Sequence, residues 1–238
     1  VLDTGVSWLH PSFWRPTTGA LPVLSVNGSY YVDINTNGVA DSDEGPIAVL
    51  HQQDPSAIEV SNEYLYIDIN DNGKFDFANG DRWLAGVDED RDGLLSLPSE
   101  KVVLLGQPKV RILYDQYTGN VYVRGVNLTA DALGIGDTNG HGTHVASIIA
   151  GGQPGYTAMV GIAPGADLLV IRSPLMSSDV LDGIFFAAEH DADIINMSFS
   201  SFLGFLDGTD TEDLAVSEAM RTSGLVSSLA SGNLAGYN

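Results

Sequence analysis

The sequence predicts an α/β protein with a doubly wound, mostly parallel sheet and a β-rich insertion. From about Asp137 onward, apolar segments of strand length alternate with apolar segments of helical period, which is typical of βαβ units. Between about Ser25 and Glu100, clusters of Asp, Asn and Gly separate tyrosine-rich alternating runs, which favours strands joined by turns. Apolar residues make up 44% of the 238 residues, so the chain can build a hydrophobic core.

These changes in composition divide the chain into three parts. We predict that residues 1–20 begin one domain, that residues 21–130 form the inserted β-rich region, and that residues 131–238 continue the first domain.

The elements of the third part follow in chain order. Strands are predicted at residues 167–172, 192–199 and 225–230, and helices at residues 142–150, 179–190 and 209–222. Thr209 and Glu212 have the spacing of a capping box at a helix start, and Gly224 supplies the stop. Alternating strands and helices imply right-handed crossovers, so functional residues are expected in the loops at the carboxyl ends of the strands.

Charge and cysteine content exclude several classes of function. The chain has 10 basic and 31 acidic residues, a net charge of −21, which argues against a nucleic-acid partner because phosphate backbones repel it. It has no cysteine, so disulfides, thiolate metal sites and cysteine nucleophiles are excluded. No apolar run reaches the roughly 18 residues that a bilayer requires, so no membrane span is predicted in this segment.

Three motifs occupy the places where function is expected. Asp3-Thr4-Gly5 follows an apolar pair, the block from Asp137 to Ala146 (DTNGHGTHVA) carries His141 at the first turn of a helix, and Gly232-Asn233 follows the third strand. In this order the motifs resemble those of the subtilisin-like serine proteases, the subtilases. The resemblance covers about residues 1–11 and 137–238, and the histidine block is its most specific part.

The resemblance implies a catalytic role for three residues. His141 resembles the general base, because an imidazole can accept a hydroxyl proton near neutral pH and return it to the leaving amine. Asp3 resembles the buried carboxylate that orients this imidazole, and Asn233 resembles the donor that stabilises the oxyanion. We expect His10 and His144 to have structural roles.

The family also places an extended peptide substrate beside two segments, here Ser173 to Met176 and Ser198 to Ser200. Ser198 is the residue predicted to bind substrate; Phe199 and Ser200 replace the Leu-Gly that is usual after it. The family's Gly-Thr-Ser-Met block with the nucleophilic serine does not occur in this sequence. We therefore expect the serine in a remaining C-terminal part of the same protease, joined covalently or present as a nicked chain.

Asp3 and His141 are separated by 138 positions, which resembles the long insertion of the pyrolysin branch of subtilases and of tripeptidyl-peptidase II. The insertion contains an internal repeat, because Tyr31-Val32-Asp33-Ile34-Asn35 recurs 35 residues later as Tyr66-Ile67-Asp68-Ile69-Asn70. Each copy predicts a strand that enters an oxygen-rich loop.

Three loops of the insertion match the calcium-binding loop of EF-hands. Loop 1 (residues 33–44) has Asp33, Asn35, Asn37, Val39, Asp41 and Glu44 at positions 1, 3, 5, 7, 9 and 12, with the main-chain carbonyl as the ligand at position 7. Loop 2 (residues 68–81) has Asp68, Asn70, Asn72, Lys74 and Asp76 at positions 1, 3, 5, 7 and 9, but Asn79 at the closing position, where Asp81 could substitute. Loop 3 (residues 88–100) has Asp88, Asp90 and Asp92, with Glu100 one place late.

These patterns predict Ca²⁺ as a cofactor that stabilises a strongly acidic chain. The alternative is that the loops are Asn/Asp/Gly turns joining hairpins. Calcium sites fill where calcium is plentiful, which favours an extracellular or cell-surface location. Asn27 and Asn127 lie in Asn-X-Ser/Thr sequences and are candidate glycosylation sites.

Two functions therefore follow from the sequence. The first is a calcium-stabilised extracellular serine endopeptidase that acts on polypeptide substrates, of which this chain is the amino-terminal portion. The second is a non-catalytic calcium-binding surface or scaffold protein on a subtilase fold.

Overall fold

The computed structural model describes residues 1–50, 58–59, 64–200 and 207–233. The α-helices in these ranges are α1 (His141–Ala150), α2 (Ser177–Glu189) and α3 (Thr211–Ser223). The strands are β1 (Leu2–Asp3), β2 (Trp14–Pro16), β3 (Val23–Val26), β4 (Ser29–Val32), β5 (Ile47–Val49), β6 (Ile58–Glu59), β7 (Leu65–Ile67), β8 (Arg82–Val87), β9 (Leu94–Leu95), β10 (Lys101–Pro108), β11 (Val110–Asp115), β12 (Asn120–Val123), β13 (Leu168–Arg172), β14 (Ile194–Met197) and β15 (Val226–Leu229). Among the described helices, none is both long enough and apolar enough to cross a bilayer.

The chain forms two compact units. Unit 1 comprises Val1–Trp8, Val110–Ala146 and Asp167–Asn238, and unit 2 comprises Leu9–Lys109 and Ser147–Ala166. These boundaries differ from those predicted at residues 20 and 130. The first segment of unit 2 begins at Leu9 and ends at Lys109, and its second segment, Ser147–Ala166, begins within α1.

The sheet of unit 1 has the strand order β1-β13-β11-β12, in which the first three strands are parallel and β12 is antiparallel. Asp3 pairs with Arg172, and Arg172 pairs with Asp115, so three charged residues align at the carboxyl ends of the strands. The strands β14 and β15 form a separate parallel pair. Helix α2 contributes Val180 and Ile184 to the hydrophobic core of unit 1, which also contains Leu2 of β1 and Ile171 of β13.

Two local predictions need correction. Strand β11 falls within the predicted insertion but pairs in parallel with β13 of unit 1. The sequence did not predict this pairing, because β13 lies more than 50 residues away and no local pattern identifies it as the partner. The predicted capping box at Thr209 is wrong: α3 has Asp210 as its N-cap, and the hydroxyl of Thr209 donates instead to the carboxylate of Asp207. The helix does end at Gly224, whose φ of 71° suits a left-handed C-cap.

Unit 2 is built on an antiparallel sheet with the strand order β2-β10-β8-β7-β5. Its core consists of apolar side chains from most of these strands and from β3, β4, β6 and β9: Leu21, Val23, Val32, Ile58, Leu65, Ile67, Leu84, Leu95 and Val102. Loop 1 joins β4 to β5, and loop 2 joins β7 to β8. Loop 3 begins after β8 and ends at β10, so the three loops lie on strand connections and leave the core apolar.

Candidate active site

The structure brings the first acidic motif and the histidine block together at the end of β1. Nδ1 of His141 lies 2.8 Å from Oδ1 of Asp3, although 138 positions separate the two residues in the chain. Asp3 is 1% exposed, whereas the His141 side chain is 47% exposed. A buried carboxylate at Nδ1 fixes the ring orientation and leaves Nε2 as the nitrogen available to another group.

Main-chain contacts hold Asp3 in place. Oδ1 of Asp3 also accepts the N–H of Thr4 at 2.8 Å, and the Asp3 carbonyl accepts the N–H of Ser173 at 2.9 Å. The other carboxylate oxygen, Oδ2, is buried and has no hydrogen-bond partner among the described residues. The carboxylate is therefore oriented mainly through the oxygen that faces His141.

Gly142 allows α1 to approach the Asp3 segment closely. A Cβ atom at position 142 would overlap the carbonyl oxygen of Gly5 and would lie 3.1 Å from Cβ of Asp3. Glycine at this position therefore lets the first turn of α1, which carries His141, come within hydrogen-bonding distance of the acid.

Asp137 joins the same two segments, although its place in the sequence did not indicate a role for it. Its carboxylate accepts hydrogen bonds from Thr4, Asn139, Gly140 and Thr143. Partial burial alone would raise the pKa of Asp137, but the N–H groups of Thr143 and Gly140 and the hydroxyls of Thr143 and Thr4 together hold the pKa below its ordinary value. An acid just before the start of a predicted helix was the available signal, because such acids accept hydrogen bonds from the N–H groups at a helix start.

Ser198 and Asn233 follow the two strands of the β14–β15 pair. Met197 is aligned with Leu229 in this parallel pair, so both loops leave the same edge. The hydroxyl of Ser198 accepts a hydrogen bond from the Asn196 amide at 2.8 Å, and Asn233 is exposed. Ser198 thus follows β14 directly, and Asn233 lies four residues beyond the end of β15.

The two other histidines considered above lie in different settings. His10 packs edge-on against Phe13 and Tyr64, and its Nδ1 accepts the N–H of Ser12. Burial lowers the pKa of His10, which favours a neutral ring that packs in unit 2. His144 is exposed on α1.

The first acid of each loop in unit 2 makes the same kind of contacts. The carboxylate of Asp33 accepts the N–H groups of Asn37 and Gly38, and that of Asp68 accepts those of Asn72 and Gly73. The carboxylate of Asp88 accepts the N–H groups of Arg91 and Gly93. In all three loops the N–H of position 7 also bonds to the side chain at position 5, so the loops share one hydrogen-bond pattern.

The closing acids are equally regular. Glu44 accepts the N–H groups of positions 2 and 9 of loop 1, which belong to Ile34 and Asp41. Asp81 does the same in loop 2 for Ile69 and Asp76. Glu100 does so in loop 3 for Glu89 and Ser96. Asn79, by contrast, donates its amide to Asp76.

The backbone of the three loops repeats as well. Position 4 has a positive φ in each: 56° at Thr36, 52° at Asp71 and 64° at Arg91. Position 6 is a glycine with φ between 71° and 90°. A non-glycine residue in the left-handed backbone conformation costs about 1–2 kcal/mol. Three such residues therefore indicate that the rest of each loop strongly specifies its conformation.

The candidate donor set suits a hard cation. In loop 3, oxygen atoms of Asp88, Asp90 and Glu100 all lie within 4.8 Å of one another. The first and closing acids of loops 1 and 2 are nearly fully buried, and the donors throughout are carboxylate, amide and carbonyl oxygens. Ca²⁺ prefers such ligands, so the residues fit this ion.

The two candidate glycosylation sites differ in their surroundings. Asn27 and Gly28, with φ of 52° and 88°, form the exposed two-residue turn of the β3–β4 hairpin. The amide of Asn127 donates to the carbonyl of Val121 and its oxygen accepts the N–H of Val123. The Asn127 side chain therefore holds a turn, whereas that of Asn27 lies at a hairpin tip.

Comparison with known proteins gave a family and several relatives. The model of the subtilase family matches residues 1–237. Pyrolysin of Pyrococcus furiosus is 34% identical over 131 residues, which are 41% of this chain and 9% of that protein. An intracellular serine protease of Paenibacillus polymyxa is 40% identical over 85 residues, which are 32% of this chain and 26% of that protein. The structure of the CspB protease of Clostridium perfringens matches 54% of this chain and 32% of its own, with 23% identity and a TM-score of 0.46. The chain thus spans a third or less of the length of these three proteins.

Proposed function

The chain belongs to the subtilase family, and from this membership we propose that it carries the acid, the base and the oxyanion donor of a serine endopeptidase. The observation that carries this proposal is the 2.8 Å contact between buried Asp3 and exposed His141. In this reading Asp3 keeps the proton on Nδ1, and Nε2 of His141 accepts the proton of a serine hydroxyl.

The other roles follow from positions at strand ends. Asn233 supplies an amide N–H to the oxyanion that forms when the serine attacks the scissile carbonyl. Ser198 lies in the segment beside which an extended polypeptide substrate would bind. His141 then returns its proton to the leaving amine. The serine belongs to a segment of the intact protein outside these 238 residues, joined to this chain covalently or as a nicked partner.

The test is labelling of the intact protein with a fluorophosphonate, followed by location of the tagged residue by mass spectrometry. We expect a tag on one serine outside this chain, and a labelling rate that falls by about 10³-fold or more in His141→Ala and Asp3→Asn. His144→Ala, on the same helix, is the matched control and should label at the wild-type rate. Asn233→Ala should lower kcat by about 10²–10³-fold.

The second candidate function is a non-catalytic scaffold on the same fold. It is favoured only if the folded, calcium-loaded protein takes no label while a control serine protease in the same tube does. Equal labelling of wild type and His141→Ala would also reject the proposed role of His141.

We further propose that loops 1, 2 and 3 bind Ca²⁺, closed by Glu44, Asp81 and Glu100. Support comes from the shared hydrogen-bond pattern and from the oxygen donors of loop 3. When bound, the ion would neutralise buried acids and fix the loops in unit 2. Three calcium sites would suit an extracellular or cell-surface location, where calcium is plentiful. In that location Asn27, at its exposed hairpin tip, could carry a glycan.

Variants of loop 2 can distinguish calcium binding from ordinary turns. Calcium titration of the chelator-treated protein by calorimetry should show Asp81→Asn weakening one class of site by about tenfold or more, because a buried charge that faces the ion is lost. Asp71→Asn, which removes one charge from the exposed position 4 of the same loop, is the matched control and should leave calcium affinity nearly unchanged. Absence of calcium binding in the wild type would favour the turn interpretation instead.

A further inference from the structure

Asp137 accepts five hydrogen bonds and thereby connects Thr4 to the segment at the start of α1. Its Oδ1 accepts the hydroxyl of Thr4 at 2.9 Å and the N–H groups of Gly140 and Asn139 at 2.9 and 3.1 Å. Its Oδ2 accepts both the N–H and the hydroxyl of Thr143, each at 2.8 Å. Only an ionised carboxylate offers acceptors to all of these donors at once.

The donors lie on the two segments that carry the acid and the base. Thr4 follows Asp3, and its N–H bonds to the same Asp3 oxygen that faces His141. Thr143 is two residues after His141 in the first turn of α1. The Thr4 hydroxyl also accepts the N–H of Gly142 at 3.1 Å, so it is held from both sides.

We propose that Asp137 is a positioning residue for His141, which acts through Thr4 to hold the base against Asp3. This inference rests on the proposed role of His141 as the base. The bridge joins the segment of Asp3 to the first turn of α1. Displacement of a catalytic group by about 1 Å can cost about 10²-fold in rate, so loosening the bridge should be visible in the chemistry.

A simple capping role for Asp137 predicts a different result. Capping requires only the bonds to Asn139, Gly140 and Thr143, which satisfy N–H groups at the start of α1. Positioning additionally requires the bond from Thr4. Thr4→Val removes that bond, together with the one that the Thr4 hydroxyl accepts from the N–H of Gly142, and keeps the size and branching of the side chain. It leaves the capping bonds of Asp137 in place, so it separates the two roles. Thr4→Ser restores the hydroxyl.

The experiment uses the intact protein that contains this chain, labelled with ¹⁵N-histidine. The first readout is the exchange rate with water of the His141 Nδ1 proton, which its bond to Asp3 protects. We expect Asp137→Asn and Thr4→Val to speed this exchange by about tenfold or more and to lower the fluorophosphonate labelling rate by about 10- to 100-fold. Thr4→Ser should restore both, and Thr138→Val, an exposed neighbour of Asp137, is the matched control.

The outcomes separate the possible failures. Wild-type exchange and labelling in Thr4→Val would overturn the proposal and leave Asp137 as a helix cap. If the intact protein takes no label but the Nδ1 proton responds as expected, positioning stands and the proposed peptidase function fails. If Asp137→Asn does not fold, as judged by circular dichroism, Thr4→Val alone decides the matter.

Discussion

At the scale of single residues, Lys109 is a cation placed in the interior of unit 2. It is 1% exposed, and its ammonium group donates to the carbonyls of Ala150 (2.6 Å) and Gly152. These carbonyls lie at and just beyond the carboxyl end of α1, where helix carbonyls lack intrahelical partners. Burial lowers the pKa of Lys109 to about 8, because removing the charged form from water is costly.

We predict that Lys109→Met lowers the free energy of unfolding by about 1–3 kcal/mol at neutral pH, because two buried carbonyls lose their donor. The folded pKa, about 8, lies below the ordinary value of 10.5, so above pH 8 the unfolded state binds more protons than the folded state. The stability of wild type relative to Lys109→Met should therefore rise between about pH 8 and pH 10.5. Urea unfolding of both proteins at the two ends of this range measures it, and a falling difference would contradict the prediction.

At the scale of elements, the sequence predicted the regular parts of unit 1 well. The strand at 167–172 and the helix at 179–190 agree with β13 and α2 to within two residues, because burial and helical period are local signals. Strand β11 was assigned to the wrong region, because parallel pairing with β13 depends on residues far apart in the chain. The hydrogen bond between Asp137 and Thr4 could not be predicted for the same reason, since it spans 133 positions.

The first turn of α1 offers a prediction at the same scale. Replacing Gly142 with alanine would normally favour a helix by about 1 kcal/mol. Here we expect a net loss of stability of about 1–3 kcal/mol, because the added methyl group overlaps the carbonyl of Gly5 and forces α1 away. Thermal unfolding measures the loss, and the labelling rate should fall with it. Gly136→Ala, whose added Cβ would meet open space, is the control. A more stable Gly142→Ala protein would show that the approach is not tight.

At the scale of the whole molecule, charge is the dominant feature. The chain carries a net charge of −21, and unit 2 buries the acids Asp33, Glu44, Asp68, Asp81 and Glu100. Such a molecule repels itself in the folded state unless counter-ions gather around it. Three bound calcium ions would cancel six of the negative charges and would act where acids are most crowded.

This balance predicts how salt acts with and without calcium. In chelator-treated protein the melting temperature should rise clearly with added sodium chloride, because screening relieves the repulsion. In calcium-loaded protein the same salt should have a smaller effect, because the repulsion is already partly neutralised. Calorimetric scans across a salt series check this, with magnesium chloride in place of calcium chloride as the control for valence. Equal salt dependence in both states would reject a calcium role in charge balance.

The pairing of β2 with β10 bears on how the chain reaches its folded state. Trp14 is aligned with Pro108, and the N–H of Lys109 donates to the carbonyl of Phe13, so the long intervening stretch begins and ends at neighbouring positions. The entropy lost on closing a chain loop grows with its length, and distant contacts form slowly. Once β2 and β10 have paired, the residues between them no longer lengthen the loop that joins Asp3 to His141. Evolution could therefore enlarge or shorten this stretch with little effect on the rate at which the acid and the base meet.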